Sequence, residues 1–269
     1  MTCEYTGASC TGAGIVRSVG YTSFNMPATI SDRANADALT YDSEHTRITQ
    51  VATGASAGTT VYLNDPASGA MEEQFTAGAT MTWRDYIQAD GHMVAMRLNT
   101  AGSISANYFT LDHLGSIAAV TDASGAVVER DSYDPWGKRR NPTGAPAACG
   151  TIASATTRGF TAQEMMDPTC LINLNARVYD PSLGRILSPD SIIPDTYSPQ
   201  TRNRYTYVDN GPLSLTDPTG NMNWRSPIWR WRPEAEGRGF SLFRESLRRG
   251  QSRHMRSMSA NRADFAEDF

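Results

Sequence analysis

Lysine is almost missing from this chain: Lys138 is the single example among 269 residues, and arginine supplies the remaining positive charge. Such a bias reads as the codon usage of a GC-rich genome rather than as a functional device. Cysteine is scarce too. Cys3, Cys10, Cys149 and Cys170 form no CxxC pair and have no histidine at metal-ligand spacing, so no zinc site is expected. Free thiols are the expectation, with Cys149–Cys170 and Cys3–Cys10 as the pairings open to a disulfide. No run approaches the about 20 apolar residues that a membrane-spanning helix needs. The opening MTCEYTGASCTGAG has neither a basic nor an apolar region, so it does not read as a secretory leader. Helical periodicity is absent before residue 236.

What is present is tyrosine at a regular beat. Tyr41, Tyr62, Tyr86, Tyr108 and Tyr133 are separated by 21, 24, 22 and 25 residues, and Tyr179 follows after 46, about twice that spacing. Around them lie alternating segments such as TTVYLND at 59–65, MTWRDYIQA at 81–89, HMVAMRLN at 92–99 and ISANYFTLD at 104–112. Asp90-Gly91, Ala101-Gly102 and Ser124-Gly125 supply turns between them. Short strands at this spacing predict an all-β array whose units stack on their neighbours. The aromatic rings are expected to pack between successive units, with their polar edges reaching backbone or solvent.

Charge is divided unevenly. Residues 221–269 hold ten arginines and six acidic residues, net +4, so residues 1–220 carry −8 of the formal total of −4. The border falls at DNGPLSLTDPTGN, residues 209–221, after which the text turns to Trp and Arg.

Four stretches identify a family. YDSEHTR at 41–47 resembles the YD repeat. The run YFTLDHLGSIAAVTDASGAVVERDSYDPWGKRR at 108–140 is similar to the core of Rhs (rearrangement hotspot) proteins, as are RGFTAQEMMDPTCLINLNARVYDPSLGRILSPDSI at 158–192 and NRYTYVDNGPLSLTDPTG at 203–220. The resemblance covers residues 38–220. It implies a β-strand spiral that forms part of a hollow cocoon-like shell, closed by a core plug, with a variable C-terminal segment inside. It also implies self-cleavage at the end of the core. The implied organisation is a partial repeat or linker over 1–37, a YD-repeat β array over 38–140 and a flexible linker or loop over 141–157. The Rhs core then follows over 158–221 and a variable tail over 222–269. A closed cocoon needs many more repeats than these, so the expectation is the C-terminal piece of a longer or split gene.

The self-cleavage that the resemblance implies is of aspartic type. Two carboxyls a few ångströms apart share one proton, because both cannot ionise cheaply; one then activates water while the other polarises a carbonyl. Asp190 of GRILSPD and Asp217 of LTDPTG match the family's aspartates, and Arg185 matches its arginine as an orienting group. Pro218 and Gly220 shape the turn, and the expected cut falls between Asn221 and Met222, where the family usually has Leu in place of Asn221. Asp-Pro alone is weak, since it also occurs at 65, 134, 167 and 180 as a turn opener. Asp112, His113, Asp134 and Asp180 are therefore read as structural. No cofactor and no metal are expected.

The resemblance further implies a bacterial protein, secreted or surface-borne within an effector and cytoplasmic before export. Its expected partners are the rest of a shell, a type VI-like secretion apparatus and an immunity protein. The tail is short for an enzyme. It reads as a toxin remnant, as a disordered end recognised by another protein, or as a basic Trp-rich peptide touching a membrane or nucleic acid, with a short helix over 236–258. A non-catalytic surface-binding module and an inert orphan cassette remain as alternatives for the whole chain.

Overall fold

The computed structural model describes residues 2–5, 15–32, 35–65, 70–190, 202–221 and 224–225; the helix read over 236–258 lies outside them. Twelve strands form one antiparallel sheet in strict chain order. They are β1 (Thr2–Tyr5), β2 (Ile15–Tyr21), β3 (Pro27–Asp32), β4 (Asn35–Tyr41), β5 (Arg47–Thr53) and β6 (Gly58–Asp65). Then come β7 (Ala70–Ala77), β8 (Thr80–Ala89), β9 (His92–Thr100), β10 (Ser103–Leu111), β11 (Ile117–Asp122) and β12 (Val127–Arg130). The all-β expectation holds among the described residues, whose only helical elements are short 3-10 turns. Residues 15–32, placed by the sequence in a partial repeat or linker, supply two full strands of the same sheet.

One turn recurs. In residues 42–46, 112–116, 122–126 and 134–138 the first residue is Asp, and its Oδ1 accepts N–H groups from the residues two and four places on, all between 2.8 and 3.0 Å. The carboxylate thus replaces a backbone acceptor and closes the turn locally. Its fourth residue is left-handed: His45, Gly115, Gly125 and Gly137 have φ between 65° and 96°. Thr22 and Asn25 play the two parts in the first such turn, where φ at Asn25 is 63°. Where a tyrosine precedes an aspartate that opens a turn, as at 41, 133 and 179, its hydroxyl ties the chain backwards. Tyr41 donates its hydroxyl to Pro27 O at 2.6 Å, Tyr133 to Ile117 O at 2.9 Å and Tyr179 to Trp136 O at 2.8 Å.

Beyond the sheet, β13 (Ser132–Tyr133) pairs with β14 (Arg139–Arg140). A four-stranded meander follows, comprising β15 (Glu164–Met166), β16 (Leu171–Asn173), β17 (Val178–Asp180) and β18 (Arg185–Ile186). A last hairpin joins β19 (Leu215–Thr216) to β20 (Trp224–Arg225). The meander packs into the inner face of the large sheet. Val19, Ile30 and Leu39 meet Met166, Leu171 and Val178 there, and Leu174, Tyr179, Tyr207 and Val208 form the centre of the meander's own core.

Buried ion pairs stitch the two layers together, strand after strand. Arg17 on β2 pairs with Asp180, and also with Asp32 at 2.8 Å. Arg47 on β5 pairs with Glu164, and Glu73 on β7 pairs with Arg158 at 2.6 Å. Tyr86 on β8 meets Thr157 Oγ1 at 2.7 Å. A shift of the meander against the sheet would leave these buried charges uncompensated, which disfavours other registers.

Residues 141–157, read as a flexible linker or loop, form no strand or helix, but they are anchored. Glu129 Oε2 accepts Ala155 N–H at 2.6 Å and Glu73 accepts Thr157 Oγ1–H at 2.8 Å. Cys149 and Cys170 form a disulfide, which corrects the expectation of free thiols. Their Cα atoms are 5.2 Å apart, with Cys170 capping the 3-10 turn Asp167–Thr169, a proximity that a sequence separation of 21 conceals. Reduction should cost about 3 kcal/mol and lower the melting temperature by roughly 6–12 °C. Thermal unfolding with and without dithiothreitol measures this, and identical curves would contradict it.

Candidate functional site

The border segment is a tight turn seated on the loop between β16 and β17. Asp217 is 1% exposed, and its Oδ1 accepts the Gly220 N–H at 2.9 Å. Thr219 O accepts the Ala176 N–H at 3.2 Å. Gly220 has φ +78°, and a Cβ there would meet Leu174 O at 2.4 Å and the Ala176 and Arg177 nitrogens at 3.0 Å. Both the left-handed conformation and the close approach demand glycine. Gly220→Ala should lift the turn off its seat at a cost of about 1–3 kcal/mol, read as a lower melting temperature. A variant as stable as the parent would refute this seating.

Asp190 reaches the same place from beyond β18. Its backbone N–H donates to Arg204 O at 2.8 Å and its O accepts Arg204 Nε–H at 2.5 Å. Between the two aspartates stands Arg177, which the sequence reading did not single out. Its Nη2 lies 2.9 Å from Asp190 Oδ2 and 3.5 Å from Asp217 Oδ2. The two carboxylate oxygens are therefore no farther apart than those distances laid end to end. Arg177 Nε also donates to the carbonyl of Gly220, the residue before Asn221. Burial lowers the Arg177 guanidinium from its ordinary value, against the opposing pull of Asp190 and Asp217.

Arg185, the sequence choice for an orienting arginine, faces elsewhere. Its Nη1 donates to Gly184 O at 2.8 Å and to Asn210 Oδ1 at 3.0 Å. The structure thus brings Asp190, Asp217 and Gly220 to Arg177, places Asn221 in the wall of the same cavity as Arg177, ties Pro218 to Asn175 on the same loop, and sets Arg185 against the 3-10 turn Val208–Asn210. Met222 lies outside the described residues. The signal that could have found Arg177 is its place two residues before the Tyr179-Asp180 turn, on the loop that seats Gly220. Asp112 caps its turn, and His113 Nε2 lies 3.1 Å from Leu213 O, the structural parts assigned to them from sequence.

A cavity of about 490 Å³ opens beside the border, walled by Arg47, Tyr62 and Glu164 on one side and by Arg177, Thr219 and Asn221 on the other. Among the described residues, no group of three or more His, Cys, Asp or Glu side chains could hold a metal ion. No described helix is long and apolar enough to cross a membrane.

The family model described as Teneurin YD-shell matches residues 28–213, a stretch that holds most of the large sheet and the whole meander. The chain belongs to the Teneurin YD-shell family. Among curated relatives of this YD-shell chain, the tRNA(Glu)-specific nuclease WapA of Bacillus subtilis subsp. natto is 32% identical over 110 residues, 41% of this chain and 4% of that protein. Salivary gland surface protein 1 of Aedes aegypti is 34% identical over 112 residues, 42% of this chain and 3% of that one. Two solved structures share the YD-shell fold. TcdB2-TccC3 without its hypervariable C-terminal region superposes with TM-score 0.59 at 19% identity, covering 76% of this chain and 10% of that chain. The Tc holotoxin pore of Photorhabdus luminescens superposes with TM-score 0.60 at 19% identity over 82% of this chain and 10% of that chain. The YD-shell chain therefore spans about a tenth of those toxin chains and a smaller share of the curated relatives.

Proposed function

We propose that this chain is the closing piece of an Rhs-type toxin shell that cuts itself once, in cis, at the Asn221–Met222 bond and so frees its C-terminal segment. The observation that carries this reading is the single guanidinium of Arg177, which meets the Asp190 and Asp217 carboxylates and the Gly220 carbonyl at once. Water adds to the carbonyl carbon of Asn221 while the ionised carboxylate of the pair takes its proton. The protonated carboxyl hydrogen-bonds the carbonyl oxygen. As the C–N bond breaks it gives its proton to the departing Met222 nitrogen, leaving a carboxyl on Asn221. Arg177 keeps one member of the pair ionised and holds the chain by the preceding carbonyl. Because that held carbonyl belongs to the Gly220–Asn221 bond, cleavage one residue earlier is the second reading.

A TccC3 chain solved without a hypervariable C-terminal region supports the division at the border, as does the swing in charge after residue 220. The partners in this reading are the rest of the shell, a type VI-like secretion apparatus and an immunity protein matched to the tail. The protein would be bacterial, carried out of the cytoplasm as part of an effector. A non-catalytic binding module is favoured by one observation: Leu63, Ile104 and Val127 are about half exposed on the sheet, at 47%, 60% and 50%. Intact mass of the purified chain separates these readings. Two fragments meeting at residue 221 or 220 support self-cleavage, and one uncut, folded chain turns the assignment to the binding module.

A further inference from the structure

Gln163 stands immediately before β15, and its side chain is spent on the border turn. Its Nε2 donates to Asp217 O at 3.3 Å and to Pro218 O at 3.0 Å. Asn175 Nδ2 adds a second bond to Pro218 O at 3.0 Å and reaches Gln163 Oε1 at 3.5 Å. One buried primary amide therefore grips two successive carbonyls; the first lies in the peptide plane that follows Asp217 and so fixes that residue's ψ, and the second holds the next plane, beyond Pro218. Pro218 itself is exposed, so water could serve its carbonyl equally well. Gln163 is 5% exposed, and the chain reaches it through an unusual path: Thr161 and Ala162 are consecutive left-handed residues, with φ of 49° and 57°. Neither is glycine, so each holds a conformation that surrounding contacts must enforce. The strained step turns the chain so that a buried amide meets the turn carrying a candidate acid.

We propose that Gln163, braced by Asn175, is the positioning residue of the self-cleavage: it fixes the backbone of Asp217 so that the carboxyl meets Asp190 across Arg177. This rests on the self-cleavage reading above. Displacements of about 1 Å at a reacting centre cost on the order of a hundredfold in rate. Gln163→Met keeps the length and loses both donors. Gln163→Glu loses the donors while ionised and regains one O–H donor when protonated.

The test is a pulse-labelled cell-free synthesis of the full chain, chased over time and across pH, with cleavage read as fragment appearance. The expected result is a parent that cuts, a Gln163→Met chain that cuts to completion about a hundredfold more slowly, and a Gln163→Glu chain whose rate recovers as pH falls through its carboxyl range. A purely structural amide would instead lower the fraction of chain able to cut and leave its rate and pH profile unchanged, and that outcome overturns the proposal. So does a Gln163→Met rate within about threefold of the parent. Should Gln163→Met lose cooperative unfolding, Gln163→Glu decides alone, and a pH profile like the parent's overturns the assignment. A parent that stays whole removes the self-cleavage and this role with it, whereas a cutting parent with an indifferent Gln163 removes only the role.

Discussion

Asp217→Asn leaves the chain in one piece. The side chain keeps its size and can still accept the Gly220 N–H that closes the turn at 2.9 Å, so the border stays seated on the β16–β17 loop. What disappears is a carboxyl able to hold or give a proton next to Arg177 Nη2, 3.5 Å away. Removing one member of a carboxyl pair takes away either the base or the acid, and losses of about a thousandfold or more follow when such groups act as a unit. Asp190→Asn is expected to match it, because Asp190 touches the same nitrogen at 2.9 Å. The measurement is intact mass after overnight incubation, paired with thermal unfolding to show that both variants fold. A variant that cuts like the parent would acquit that aspartate and end its assignment.

Glu164→Ala gives the largest expected loss of stability. Its carboxylate pairs with Arg47 and accepts the Tyr62 hydroxyl at 2.7 Å and the Asn173 amide at 3.3 Å, while Arg47 lies over the Tyr62 ring at 4.0 Å. Truncation strands the buried Arg47 charge, at a cost of about 3–5 kcal/mol. Replacing both members, with Arg47→Met and Glu164→Leu, should recover most of that, since neither charge is then buried alone. The same cluster predicts a direction with pH. Burial alone would raise the Glu164 carboxyl, but Arg47, Arg158 and the Tyr62 hydroxyl together hold it below its ordinary value of 4.5. The stability it contributes is therefore complete above the unfolded value and is lost as pH falls through the lower folded one. Acid melts of parent and Glu164→Ala should lie far apart at neutral pH and converge in strong acid, where the parent has lost this contribution; parallel curves would count against the pair.

The repeat was legible because its parts act at short range. A tyrosine and an aspartate in sequence close a turn with their own neighbours, so spacing alone exposes Tyr41-Asp42 and Tyr133-Asp134. The turn at 22–26 escaped because Thr22 and Asn25 do the same work with different letters. Asp190 and Asp217 could be named from their motifs, but the group that joins them could not. Arg177 earns its place through the seating of Gly220 on a distant loop, whereas Arg185 was chosen because it matches the arginine of the family's motif. The Arg47–Glu164 pair was hidden because it depends on how the meander lies against the sheet, and Cys149–Cys170 could be named only as an open pairing because its partners are distant in the chain.

The hairpin of β19 and β20 spans the border, pairing Leu215 with Arg225 and Thr216 with Trp224. Breaking the backbone at residue 221 would leave those rungs intact, so scission and departure are separate events. The released segment would remain held at Trp224 and Arg225 without a covalent link, ready to be peeled rather than dropped. Under denaturing conditions two masses would appear where native chromatography shows one particle, and a pulling force or a competing strand would set the moment of escape.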